Sequence, residues 1–505
     1  MTKQRHMTLV GFVRDPFGVK VIEELRLRSI LPRVFEDIGE QVSDDKSGLL
    51  FPKREWHREA WSRRLDGHEA IFLGALGASL DPQDWMNLLV CMDRVFIDKR
   101  PVAETIGYVG ALLTFASESV RTLEPGEPVI FLATPHFTRE LAVAVAACAA
   151  GHPLYVVRPS HGKDRSWISR FNYTQPGPVI EFAGAESFGD QLSHGVSQAL
   201  LNSQKQNRSS VLGTRGLAAA VHLFVSRGLR FVGLTSLSRK GASAPLRWPQ
   251  EHYWGYLGHW GMVRVKVAGT LSRWKIKKTL RRQPRQIQLP ERFIYFPLHY
   301  QPERTTVPEA GLWRNQLYLA KQLSEFCVNS NTNLSLVVKE HPRQWVGDPR
   351  GFLSRSPDFY QALLALPSTI LAPRDFDSQT LLSRASVVVT PNGSSAWEAL
   401  SYGTPSLTTA LTWHSQCQAS PSLGIHEPLE DALNRLLNMS EGAVAEHFNN
   451  FCQSQSFMVP GVFDSQHLSK HADLDLLATG MADAIAALLE SDALPRLQIS
   501  QLSEE

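Results

Sequence analysis

The spacing of apolar and polar positions predicts two runs of alternating strands and helices. In the first run, Pro128 to Ala133 is a short apolar segment of strand length, and Thr134, Pro135 and His136 form a turn. Phe137 to Ala150 has helical character and meets a stop at Gly151. Leu154 to Val157 is the next strand, closed by Arg158 and Pro159. Strand, turn, helix and strand at these spacings make a βαβ unit with parallel strands. The second run opens with the strand Phe293 to Phe296 and the helix Leu312 to Phe326. It continues through the strand Leu334 to Lys339, the helix Ser378 to Arg384 and the buried-type strand Ser386 to Thr390. A turn at Pro391 to Ser395, a helix from Ala396 to Tyr402 and a strand from Ser406 to Thr409 follow.

The remaining segments carry weaker patterns. Residues 1–115 mix short apolar runs with charged stretches, and Lys20 to Val42 reads as a helix interrupted at Pro32. Ala218 to Val225 looks helical, and Leu246 to Trp260 is dense in aromatic residues. Thr270 to Arg282 is a basic helix containing Trp274, ending before Pro284 and a linker at Gln286 to Pro290. From Pro428 the pattern is helical, with a long helix near Leu476 to Leu489. The expected organisation is a first lobe over 1–262, a basic helix and linker over 263–290, a second lobe over 291–435 and a helical tail over 436–505. The fold class is α/β: two Rossmann-like, doubly wound lobes with a cleft between them. Ligands in such sheets bind at the carboxyl ends of the strands, which places the site in the cleft.

Composition narrows the class. A chain of 505 residues with 43% hydrophobic residues suits two folded lobes and excludes wholesale disorder. The five cysteines, Cys91, Cys148, Cys327, Cys417 and Cys452, lie far apart and form no CxxC pair. A disulfide framework and a thiolate zinc knuckle are therefore not expected. The basic start has its apolar run cut by Arg14 and Asp15, and the longest apolar stretch, Leu141 to Ala150, is too short to span a bilayer. The expected location is cytoplasmic, with peripheral contact at the inner membrane as an option.

Net charge is +3, yet nine Lys and Arg and no acids lie between Arg264 and Arg285, leaving −6 on the remainder. One basic element on a mildly acidic body argues against a nucleic-acid binder, which is basic over a whole face. The basic helix suits a solvated face, an anionic membrane surface or an anionic polymer.

Four motifs carry candidate chemistry. In the turn after Thr390, backbone N–H groups of Gly393, Ser394 and Ser395 and two hydroxyls offer an anion site, and Glu398 one turn on can reach a sugar hydroxyl. The competing reading is an ordinary capped helix. Val337 to Pro342 delivers a basic cluster to a strand end, where His341 can donate to or protonate a phosphate, Lys339 and Arg343 add positive potential, and Pro342 fixes the turn. The loop Tyr295 to Thr306 crowds His299, Gln301, Glu303 and Arg304 between a strand and a helix. In the first lobe, His136 and Glu140 sit four apart at a helix start and form a candidate acid–base pair on the acceptor side. The chain has no P-loop, no GxSxG elbow and no HExxH site. Asp375 and Asp377 have the look of a metal-binding pair but read as a loop before the helix at Ser378.

At FIYFPLHYQPERTT, VVKEHPRQ and GSSAWEALSYGTPSL, with Trp413 following, the chain resembles bacterial capsule and surface polysaccharide biosynthesis proteins, including Kdo transferases. The similarity runs from the Thr134 turn to about residue 415. It implies a GT-B fold with the donor in the C-terminal lobe and the acceptor in the N-terminal one. It further implies a nucleotide-sugar donor of CMP type, a glycan or glycolipid acceptor, no cofactor and no metal at the phosphate. His341 and Pro342 match the His-Pro motif that holds the donor phosphate in related transferases, and Ser394 and Ser395 match a hydroxyl turn that binds CMP. Relatives carry Gly-Thr where this chain has Gly393, Ser394 and Ser395. Pro391 stands where retaining UDP- or GDP-sugar transferases have a second acid. The alternatives are a sugar-nucleotide epimerase or hydrolase of the same fold, and a non-catalytic assembly or export subunit.

Overall fold

The computed structural model describes residues 6–12, 15–36 and 49–50, most of 110–179 and of 258–345, and residues 354–423, 427–453, 458–461 and 472–490. The readings for Ala218 to Val225 and for most of the aromatic-rich segment before Gly258 lie outside the described residues.

The first lobe is built on β1 (His6–Val10), α1 (Pro16–Leu27), β2 (Leu31–Glu36), β3 (Leu49–Leu50), β4 (Val129–Phe131), α2 (Thr138–Ala149), β5 (Leu154–Pro159), β6 (Arg165–Asn172) and β7 (Gln175–Val179). Strands β3, β2, β1, β4 and β5 lie in that order and run parallel. β6 extends the sheet antiparallel to β5, and β7 pairs with it. The βαβ reading of 128–157 thus matches β4, α2 and β5.

The reading of Lys20 to Val42 as one interrupted helix is corrected. Asp15 caps α1 by accepting from the Phe17 N–H at 2.9 Å, Pro16 fills the first turn, and Phe17, Val21, Ile22 and Leu25 form the buried face. The helix ends well before Pro32. Ser29 takes φ +59°, and the N–H groups of Ser29 and Ile30 return to the carbonyls of Arg26 and Leu25. That is a Schellman stop without its usual glycine. The chain then leaves as β2, with Pro32 paired to Met7 of the central strand β1.

The second lobe contains α3 (Gly258–Leu280), β8 (Phe293–Pro297), α4 (Gln316–Asn329), β9 (Ser335–Lys339), α5 (Pro357–Leu364), β10 (Thr369–Leu371), α6 (Ser378–Arg384), β11 (Val387–Thr390), α7 (Ser394–Leu400), β12 (Ser406–Thr408), α8 (Leu429–Leu437) and α9 (Glu441–Gln453). All five strands are parallel, ordered β10, β9, β8, β11, β12. The predicted helix from Leu312 splits. A 3₁₀ turn, Gly311–Arg314, comes first, and α4 starts after Asn315, whose side chain accepts from the Tyr318 N–H at 3.2 Å. Ile294, Phe296, Leu336, Val338, Val387 and Val389 fill one face of the sheet beneath α4 and α8.

The chain end returns to the first lobe. Strand β13 (Met458–Pro460) pairs antiparallel with β6, and α10 (Leu474–Glu490) packs on α1. Ala478, Met481, Ala482 and Ile485 are fully buried among Phe17, Val21 and Leu25, and Arg28 pairs with Asp483 at 2.7 Å. Each lobe is thus a doubly wound sheet, and the arrangement is GT-B-like.

Candidate functional site

The two sheets share one logic. In the second lobe, β8 and β11 are neighbours at the point where strand order reverses, and a crevice opens there beyond the strand ends. Pro297 ends β8 and Leu298 and His299 follow it, His341 follows β9, and Asn392, Gly393, Ser394 and Ser395 follow β11. Opposite them stand Arg158, Pro159 and Ser160 at the end of β5, and Trp167 on β6. The cleft between these groups has a volume of about 520 Å³, which suits a small-molecule ligand.

His299 organises the floor. Its Nε2 lies 2.7 Å from Thr390 Oγ1, and the Gly393 N–H donates to that same oxygen at 3.2 Å. Burial, reinforced by His341 and Arg355 and opposed by Glu309, pushes the His299 pKa down to about 3. The ring is therefore a neutral imidazole tying β8 to the turn after β11. A Cβ at Gly393 would lie 2.8 Å from Thr390 Oγ1 and 3.0 Å from His299 Nε2, so this approach requires glycine. The Gly393 N–H, expected to serve an anion, donates to Thr390 in this structure.

Behind the floor lies a buried polar network. Arg355 donates from Nε to Glu340 Oε2 at 3.1 Å, from Nη1 to Gln301 Oε1 at 2.8 Å and from Nη2 to the His299 carbonyl at 3.0 Å. The Tyr360 hydroxyl donates to Glu340 at 2.6 Å, and the His341 N–H donates to the same carboxylate at 2.9 Å. Gln344 accepts from the Gln301 N–H at 3.0 Å, and Gln316 accepts from the His299 N–H at 2.8 Å. One guanidinium thus fixes the loops after β8 and β9 together.

The predicted residues divide. His299, His341, Gly393, Ser394 and Ser395 line the cleft. Gln301 sits in the network, and Pro342 opens a short 3₁₀ turn, Pro342–Trp345. Lys339 points elsewhere: Nζ donates to the Phe376 carbonyl at 2.7 Å and to Ser378 Oγ at 2.5 Å, and burial lowers its pKa to about 8. Glu398 accepts from Ser394 Oγ at 2.8 Å, and burial raises its pKa. Glu140 is buried in α2 and is not among the cleft-lining residues. His136, Glu303, Arg304 and the Arg343 side chain lie outside the described residues. Asp377 caps α6 by accepting from the Thr380 N–H at 2.7 Å.

The pattern of the sequence missed Arg158, Trp167, Glu309, Asn392 and Arg355. Arg158 projects over the Trp167 ring at 5.3 Å and approaches Glu309 at 3.8 Å, linking the two lobes. Asn392 Nδ2 donates to Glu309 at 3.0 Å. Arg158 had a usable signal, since it closes a predicted parallel strand. Arg355 had none.

Two Rossmann-like lobes with a cleft at their strand ends define the class, a GT-B-like α/β protein. No protein-family model matches the chain, and no curated protein matches it. Among solved structures, it is similar to the beta Kdo 2,7 transferase KpsC of Thermosulfurimonas dismutans, at 8% identity over 90% of this chain and 92% of that one, with a TM-score of 0.32. It is also similar to an alpha,alpha-trehalose 6-phosphate synthase of Burkholderia multivorans, at 11% identity over 99% of each chain, with a TM-score of 0.31. The UDP-GlcNAc 2-epimerase of Methanocaldococcus jannaschii matches at 9% identity over 96% of this chain and 99% of that one, with a TM-score of 0.22. The fold assignment rests on this chain's own strand order.

Proposed function

We infer that the protein is a glycosyltransferase that moves a sugar from a nucleotide-sugar donor, with a CMP-Kdo-like donor favoured, to a surface or capsular polysaccharide or its lipid acceptor. One observation carries the reading. The loops after β8, β9 and β11 meet where a parallel sheet reverses its strand order, opposite an arginine and a tryptophan of the other lobe. Such a crevice offers phosphate donors on one wall and an aromatic face on the other.

In this reading His341, Ser394 and Ser395 hold the donor phosphate, and Glu398 receives a ribose or sugar hydroxyl, freeing Ser394 to turn toward the phosphate. The bond from the anomeric carbon to the phosphate oxygen breaks with its electron pair going to the phosphate. The acceptor oxygen forms the new bond, and its proton passes to an acceptor-side base. Glu309 pairs with Arg158 and accepts from Asn392, which suits a sugar-binding role. His136, read from the sequence with Glu140 as an acceptor-side candidate, is the base we assign. Protein groups, His341 foremost, supply the positive potential at the leaving phosphate.

The test is thermal stabilisation by CMP, CDP, UDP and GDP, on the wild type and on His341→Ala. A nucleotide at a hundred times its Kd adds about 2.7 kcal/mol. The expected outcome is a shift with CMP that the variant loses while keeping its own unliganded Tm. A shift with UDP or GDP instead replaces the donor. No shift with any nucleotide sinks the transferase reading.

A further inference from the structure

Helix α3 packs on α5 and sends Ile276 into the core of the second lobe. Its opposite face is unusual. Val267, Leu271 and Trp274 are 53%, 55% and 60% exposed, and they recur at spacings of four and three. At 3.6 residues per turn they fall within about 60° of one another, roughly opposite Ile276. This apolar stripe is flanked by exposed Lys275, Lys277 and Arg281, and the Lys278 ammonium lies 5.6 Å from the centre of the Trp274 ring. No acid occurs anywhere in the helix. Among the described residues, no helix is long and apolar enough to cross a membrane.

We propose that this face of α3 docks the protein on an anionic lipid bilayer, lying in the interface with Trp274 and Leu271 inserted and the basic side chains at the headgroups. The charge picks the occupant's sign. The apolar stripe picks its kind: a soluble polyanion would be met by cations alone and would leave a tryptophan and two aliphatic side chains in water. An interfacial helix needs both features on one surface. A solvated face would carry polar residues at 267, 271 and 274. The proposal goes beyond the transferase reading and does not depend on it, since it uses none of the cleft residues.

The experiment is co-sedimentation of the full chain, at physiological salt, with vesicles of equal parts phosphatidylglycerol and phosphatidylcholine, and with phosphatidylcholine alone. Binding to the anionic vesicles and not to the neutral ones is expected. Lys277→Glu with Lys278→Glu should weaken it about tenfold or more. Leu271→Ser with Trp274→Ser should weaken it comparably without changing the Tm, because both side chains are exposed. If the serine variant binds as well as the wild type, or binding is retained only to heparin resin, the surface is a polyanion site and the proposal falls. Absence of binding to the anionic vesicles overturns it as well. The nucleotide shift of the unaltered protein is measured separately, so the two readings fail independently.

Discussion

Burial turns His299 from a titrating group into a fixed hydrogen-bonding partner. Its folded pKa near 3 lies below the ordinary 6.5. Between those values the unfolded chain binds a proton that the native chain refuses, so stability is full above about pH 6.5 and falls as pH drops. Lowering the pH from 6.5 to 5 should cost the wild type about 2 kcal/mol through this residue. His299→Gln keeps a group able to bond Thr390 and lacks the titration. Urea unfolding at pH 7 and at pH 5 should therefore show a smaller loss in the variant. Equal losses would mean that His299 is solvated and titrates normally. The same burial explains why the sequence could mark His299 as a candidate yet not its role. A histidine after a strand looks alike whether it touches ligand or braces a turn.

At the scale of elements, Arg355 binds the loops after β8 and β9 to one another through Glu340, Gln301 and the His299 carbonyl. Replacing it with methionine would leave the Glu340 carboxylate buried with only Tyr360 and the His341 N–H as donors. Arg355→Met should cost about 3–5 kcal/mol, read by urea unfolding, because an uncompensated buried charge outweighs the packing retained. A loss below about 1 kcal/mol would show that the carboxylate takes up a proton or reaches water instead. Replacing Glu340 with glutamine in the same chain should restore part of the loss. The secondary structure around this network was largely legible. β8, β9 and β11 are continuous apolar runs, as strands buried on both faces must be, and their loops carried the motifs. α5 and β10 were not read, because β10 is a three-residue edge strand and leaves little pattern.

At the scale of the molecule, the two lobes meet through Arg158 and Glu309, both buried at the cleft. Arg158→Ala and Glu309→Ala should be non-additive, with a coupling of about 0.5–3 kcal/mol in a double-variant unfolding cycle. Additive losses would show that the contact does nothing to join the lobes. The assembly also depends on the chain end. α10 closes the first lobe's core against α1, more than 400 residues away in sequence.

That separation marks what each level decided. The sequence by itself determined the α/β class, most strands and helices of the second lobe, and the loops holding His299, His341 and the serine turn. Period and turn chemistry act over a few residues, and those features are local. Tertiary structure decided that β1 is the middle of the first lobe's five parallel strands, that the tail completes that lobe, that Lys339 is directed to Ser378, and that Arg158 and Arg355 serve the cleft. Each of these depends on which distant segments pair, and hydrophobic burial, being non-directional, does not encode the partner in either segment alone.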